Sequence, residues 1–191
     1  MSCRWSQMLK SSLEANASLP YAKYVQLATV KRDGRPSNRT VVFRGFMRGD
    51  ETALTFVTDR RSKKVEEVKF SPYVEVCWYL PVTREQFRLS GKLRIVDSNS
   101  KEEEWIAARR RAWEAMSVQG KSQFAWPPPR EPRANDEAFS KAVASEEPEP
   151  AFCLVILSVD SCDYVQLFDN KREIFEREKE GNVWNQQSVN P

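Results

Sequence analysis

The chain has 191 residues, 40% hydrophobic, 30% charged and 11% aromatic, with a net charge of +3. This fits one ordered domain around a single core; the charge is too mild for the dense basic face of a nucleic-acid binder, and no apolar run approaches the roughly 18–20 residues that span a bilayer. Histidine is absent, which excludes Ser-His-Asp and Cys-His nucleophiles, imidazole-dependent zinc hydrolases and haem on a proximal histidine, so an enzyme of this composition draws its hard chemistry from an organic cofactor.

Residues 1–20 are expected as a short amphipathic helix broken at Pro20, without the apolar stretch of a secretory signal. A trimmed organelle transit peptide is compatible with this start. YVQLATV (24–30) is a β-branched and aromatic strand, and Asp33-Gly34 is a hairpin signal leading to a second strand over 36–47. Gly49-Asp50 turns into ALTFVT (53–58), after which the period changes to a helix over 62–70 that Pro72 stops. YVEVCWYL (73–80) is nearly continuous in apolar residues and is expected to be buried on both faces. EQFRLSGKLRI alternates, with Phe87, Leu89, Gly91, Leu93 and Ile95 on one face.

Asp97 or Ser98 is placed to cap a helix over 100–116 carrying Trp105, Ile106, Trp113 and Met116. Its Arg109-Arg110-Arg111 run, with Glu102 to Glu104 before it, reads as a solvated charged face. The stretch 117–150, with PPPREP and EEPEP around a helical candidate at 136–144, reads as a Pro-rich and partly mobile surface excursion. Strands over 151–159, 163–168 and 173–178 close the chain. Five or six strands with hairpin signals and two or three inserted helices predict one mainly β domain over 1–191, an antiparallel barrel with peripheral helices. The cysteines at 3, 77, 153 and 162 form no CxxC pair and are expected as free thiols in a reducing, cytoplasmic compartment.

No GxGxxG or P-loop occurs among the six glycines. A different anion site is suggested by TDRRSKK (58–64), which ends a strand and starts a helix with Ser62 at the N-cap and Lys63 and Lys64 in the first turn. Cations there oppose the helix dipole, whereas the free N–H groups favour an anion, and a phosphate on the helix start reconciles the two. Taken alone, the cluster also reads as a solvated turn relieved by Glu66 and Glu67. In RTVVFR, Arg39 and Arg44 bracket an apolar strand and suit a phosphate or a polar ring edge. They have opposite parity, so one must act from a bulge, a strand end or another copy of the site. Gln86 opens the alternating strand with an amide that both donates and accepts.

In this order and spacing the three segments resemble the FMN-binding core of the pyridoxamine 5′-phosphate oxidase family, from about Leu27 to Ile95. The resemblance implies a six-stranded antiparallel split β-barrel, FMN as cofactor and a homodimer with flavin at the subunit boundary. It implies that Arg39, Thr40, Val41, Val42 and Arg44 line the flavin, with Val57 and Thr58 at the contacting strand end. Ser62, Lys63 and Lys64 would hold the phosphate, and Gln86, Gln123 and Arg172 would complete the flavin site. Arg44, Trp105 and Arg109 would bind substrate, while no catalytic acid, base or metal ligand is assigned. The family's Arg-x-His is missing, and Val165 or Leu167 stands where its tryptophan belongs. The implied reaction is oxidation of pyridoxine or pyridoxamine 5′-phosphate to pyridoxal 5′-phosphate. The alternatives are an FMN-dependent reductase of another conjugated molecule and a non-catalytic FMN-binding or haem-breakdown sensor. Neither nucleic acid nor membrane is expected as a partner.

Overall fold

A computed structural model describes residues 3–143, 145–179 and 183–191. Strand β1 (Tyr24–Val30) pairs antiparallel with β2 (Pro36–Val42), from Tyr24↔Val42 to Val30↔Pro36, through the expected turn at Asp33-Gly34. The expected single strand over 36–47 is broken. After Val42 the chain buries Phe43 and passes Gly45 at φ +132°, a backbone conformation that glycine adopts without a Cβ penalty. It restarts as β3 (Gly45–Met47), which pairs with β4 (Asp50–Asp59).

Helix α2 (Lys63–Phe70) follows and ends before Pro72, as its sequence requires. Strand β5 (Tyr73–Leu80) alternates instead of being buried on both faces: Val74, Val76, Trp78 and Leu80 point inward, and Tyr73 and Tyr79 are exposed. β6 (Glu85–Val96) pairs with β5 on one side and with β7 (Phe152–Gln166) on the other. β7 replaces two expected strands, because Asp160-Ser161 continues through an irregularity opposite Ser90/Gly91 instead of turning. A Cβ on Gly91 would collide with the Ser158 carbonyl, so only glycine permits this approach of β6 and β7. β7 then pairs with β4 along its first half and with β8 (Lys171–Arg177) along its second; β9 (Trp184–Val189) adds to β8. The polar WNQQSV segment carries no apolar alternation and was not expected as a strand.

The order is β2-β1-β5-β6-β7-β4-β3, with β8 and β9 branching from β7. Consecutive strands β2 and β3 therefore lie at opposite ends of one antiparallel sheet. The short link through Phe43 and Arg44 draws those ends together and closes the sheet into a barrel. β2 and β4 face each other across the seam without a ladder, which makes the barrel split. The described sheet has nine strands where six were expected for the barrel; β8 answers to the strand expected over 173–178, whereas short β3 and β9 were not expected as separate strands. Leu27, Phe56, Val76, Trp78, Phe87 and Leu157 fill the interior.

Helix α1 (Arg4–Ala15) seats Trp5 and Leu9 on that core and fixes itself through Ser12, whose hydroxyl donates to buried Glu85. Tyr164 donates to the other Glu85 oxygen at 2.6 Å. Helix α3 (Glu103–Glu114) starts later than expected, with Glu102 at its N-cap; Asp97 accepts from the Asn99 amide in a separate turn. The stretch after it is more ordered than a surface excursion: α4 (Val118–Ser122) and a 3-10 turn at Gln123–Ala125 carry Phe124 into a buried cluster with Trp113, Val143 and Phe152. The helical candidate at 136–144 is a 3-10 turn over Asp136–Phe139, and residue 144 lies outside the described residues. All four cysteines are free thiols, and burial pushes Cys153 up to about 12.

Candidate functional site

The seam of the barrel opens into a cleft of about 590 Å³. One wall is the end of β2, with Thr40, Val41 and Val42; because β2 is an edge strand, half of its backbone groups have no ladder partner. Arg44 enters from the break between β2 and β3, which resolves the parity conflict with Arg39 by a strand end. The floor is the end of β4, where Val57, Thr58 and Asp59 lie. Lys64 reaches in from α2: its Nζ donates to Thr58 Oγ1 at 2.8 Å and to Ser62 Oγ at 3.2 Å.

The opposite wall is the strap over 116–139, carrying Met116, Gln123, Phe124, Trp126, Pro127 to Pro129, Arg130, Arg133 and Phe139. Of these only Gln123 was expected at the site, because the prolines read as part of a partly mobile surface excursion. The available signal was Trp126 followed by three prolines, a stiff apolar run suited to a wall. Arg61 ties the strap down: it pairs with Asp59 through Nη2 at 2.6 Å and donates to the Trp126 carbonyl at 3.0 Å. Trp126 and Phe139 meet edge to face at 5.7 Å, and Arg133 covers Phe139 at 4.9 Å.

A second cavity of about 670 Å³ flanks the first, lined by the β1–β2 turn, Ser37, Arg39, Ser62, Lys63 and Lys64. Here the structure corrects the place of Arg39. Its guanidinium does not line the cleft but donates to Glu67 at 2.7 Å, Thr29 Oγ1 at 2.6 Å, Ser37 Oγ at 2.7 Å and the Leu27 carbonyl at 3.2 Å. Burial works against the Glu67 carboxylate, yet the hydrogen bonds from Thr29 and Arg39 outweigh it and hold its pKa below the ordinary glutamate value. Ser62 occupies the expected N-cap position, but its hydroxyl donates back to the Asp59 carbonyl at 2.7 Å. That leaves the first amides of α2 without a side-chain cap. Burial, and then the Arg39 charge, push the Lys64 ammonium below the ordinary lysine range. An anion beside it would reverse that tendency.

Gln86 and Arg172 lie elsewhere. Gln86 pairs across strands with Val165, and Val165 with Arg172, so the three form a row on the outer face of β6, β7 and β8. Cys77 donates to Gln86 at 3.7 Å, and Arg172 holds Asp163 at 2.7 Å and 3.0 Å. Trp105 and Arg109 are not in the cleft either, which corrects their expected substrate role. Arg109 is buried and spends its guanidinium on the carbonyls of Phe152 at 3.0 Å and Glu149 at 2.6 Å. It anchors the return of the strap into β7. Trp105 packs on the outside of the barrel under Arg94.

FMN fits these residues on three counts. Lys63, Lys64 and the α2 start, which has no side-chain cap among the described residues, would offer cations and free amides to its phosphate. The β2 edge offers unpaired backbone polar groups to a planar heterocycle. The Trp126 indole N–H is buried without a partner among the described residues, the kind of donor that a bound polar group can satisfy.

The sequence profile of the pyridoxamine 5′-phosphate oxidase FMN-binding domain matches residues 2–97. Pyridoxine/pyridoxamine 5′-phosphate oxidase 2 of Arabidopsis thaliana is 39% identical over 98% of this chain and 96% of its own length. A crystal structure of a pyridoxamine 5′-phosphate oxidase-related FMN-binding protein from Nostoc punctiforme superimposes with a TM-score of 0.96, at 38% identity and full coverage of both chains. PhzG of Burkholderia lata, solved with tetrahydrophenazine-1-carboxylic acid, shares the fold at a TM-score of 0.78 and 23% identity, over 97% of this chain and 91% of its own. A split barrel matched along almost its whole length by these relatives places the chain in the pyridoxamine 5′-phosphate oxidase-like family of FMN-binding proteins, with FMN as its cofactor.

Proposed function

We propose that the protein is an FMN-dependent oxidase of pyridoxine or pyridoxamine 5′-phosphate. The observation that carries this reading is Arg44. It lies in the cleft on the flavin-lining segment, and among the described residues it forms no ion pair, so a guanidinium is available for a second phosphate beside the cofactor. The full-length similarity to the Arabidopsis oxidase points the same way. FMN, when bound, supplies the hydride acceptor. The chain's own part is to seat the phosphate on Lys63 and Lys64, to hold the ring between the β2 edge and the Trp126 wall, and to orient the substrate with Arg44.

The separation of Gln86 and Arg172 from the cleft supports a homodimer. Both can serve a flavin only if they reach the cleft of a second copy, and they lie on a sheet face that also exposes Tyr24, Tyr73 and Tyr79. A second reading, reduction of another planar conjugated molecule, is favoured by the apolar wall of Trp126, Pro127 to Pro129 and Phe139. Anaerobic mixing of the oxidised holoprotein with excess pyridoxamine 5′-phosphate decides between them. Bleaching of the flavin is expected, slower than in a protein with the full Arg-x-His motif, since a misplacement of about 1 Å can cost roughly a hundredfold in rate. A flavin that stays oxidised with both phosphorylated vitamers defeats the oxidase reading.

A further inference from the structure

The two cavities meet at Lys64, Pro129 and Arg130. Arg130 therefore borders both the ring-sized cleft and the basic cavity at the start of α2. Its backbone stands at φ +76°, a left-handed conformation uncommon for a residue with a Cβ. Such a conformation persists where its surroundings over-determine it. Here Pro129 fixes the backbone immediately before it, and Pro132 stiffens the strap just beyond.

The charges facing this junction are unevenly matched. Glu67 is paired with Arg39, Asp59 with Arg61 and Asp33 with Arg35. Lys63, Lys64 and Arg130 form no ion pair among the described residues, and of the acidic residues bordering either cavity only Glu66 and Glu131 remain unpaired there. Three cations from two separate elements thus border one junction without an ion pair of their own, and with Glu66 and Glu131 as the two unpaired carboxylates nearby they leave a net positive charge that suits a phosphate monoester.

We propose that Arg130 is an anion-binding residue of the cofactor site, closing from the strap onto the FMN phosphate that Lys63 and Lys64 seat from the barrel. The strap is then part of the cofactor site, and FMN binding holds it against the seam. This rests on FMN as the cofactor and is independent of the substrate proposed above. The phosphate of FMN is the partner, ahead of a substrate phosphate, because Arg130 shares the basic cavity with Ser62 and Lys63, whereas Arg44 does not border it.

The test is titration of flavin-free, full-length protein with FMN and with riboflavin. Arg130→Gly removes the guanidinium and suits the left-handed backbone; Arg130→Gln and Arg130→Lys are read beside it, and unchanged riboflavin affinity serves as the folding control. Arg130→Gly and Arg130→Gln are expected to weaken FMN about tenfold and riboflavin less than about twofold, with Arg130→Lys recovering most of the loss. An FMN-to-riboflavin affinity ratio equal to that of the wild type overturns the proposal. So does a loss of pyridoxal 5′-phosphate binding to the holoprotein with FMN affinity intact, which would assign Arg130 to a substrate phosphate.

Discussion

Arg39 and Lys64 line the same basic cavity and illustrate how differently two cations of one cluster are used. Arg39 is spent on acceptors within the chain, and its removal leaves the buried Glu67 carboxylate without its cation. Arg39→Ala is therefore expected to lower unfolding stability by roughly 2–3 kcal/mol in urea titrations, with flavin loss secondary to that. Glu67 adds an acid limb. Its folded pKa is depressed, so its contribution is fully present above the ordinary glutamate value of 4.5 and is lost as pH falls through the lower folded value. Glu67→Gln should flatten that limb of the stability profile; a variant with the wild-type slope below pH 4.5 would show that the acid sensitivity arises elsewhere. Lys64 acts in the opposite sense. Burial and Arg39 lower its pKa, so as pH rises it loses charge earlier than an ordinary lysine. FMN affinity should begin to fall at correspondingly lower pH, while riboflavin affinity measured on the same protein stays level.

At the scale of elements, the hairpin, α2 and the alternating β6 were legible because each depends on local chemistry: a turn dipeptide, a period change, a proline stop. The break at Phe43-Arg44 was not. It is fixed by barrel closure, which asks β2 and β3 to occupy opposite ends of the sheet, and the local sign was a single Gly45. The fusion of two expected strands into β7 has the same origin, since an Asp-Ser pair turns only if no partner strand holds it extended, and here β6 does. The strap was misread because prolines signal both linkers and rigid walls, and only tertiary anchors tell them apart. Those anchors are Arg61 on the Trp126 carbonyl and Phe124 between Trp113 and Phe152. Arg61→Ala should free the strap from β4 while the barrel, whose core it does not touch, keeps its melting temperature within a few degrees. Limited trypsin digestion is the measurement: cleavage after Arg130 and Arg133 should accelerate severalfold in this variant. An unchanged cleavage rate would mean that Phe124 and Val143 suffice to hold the strap.

For the whole molecule, the decisive feature is that the residues matching the family's flavin motif fall into two sets on one chain. Lys63, Lys64 and the β2 edge surround the seam, whereas Gln86 and Arg172 stand on the outer face of β6–β8. No side-chain rearrangement brings the second set to the first, because sheet register fixes Gln86 and Arg172 on the outer face while Lys63 and Lys64 are carried by α2. The proposed two-fold dimer would solve this, since an isologous interface would let the outer face of each copy complete the seam of the other. Mixing tests the arrangement directly. One variant, Lys63→Glu with Lys64→Glu, damages only the anion seat; another, Gln86→Ala with Arg172→Gln, damages only the outer face. Each alone should hold little flavin. After the two are unfolded together and refolded in equal amounts, half of the dimers are hybrids, and each hybrid contains one site built from the two undamaged halves. About a quarter of all sites should then bind FMN with wild-type affinity. If each chain carries a complete site by itself, mixing restores nothing, and the recovered flavin stays at the level of the separate variants. Recovery of binding, together with a dimer mass by light scattering at flavin-binding concentrations, is the outcome expected of a shared site.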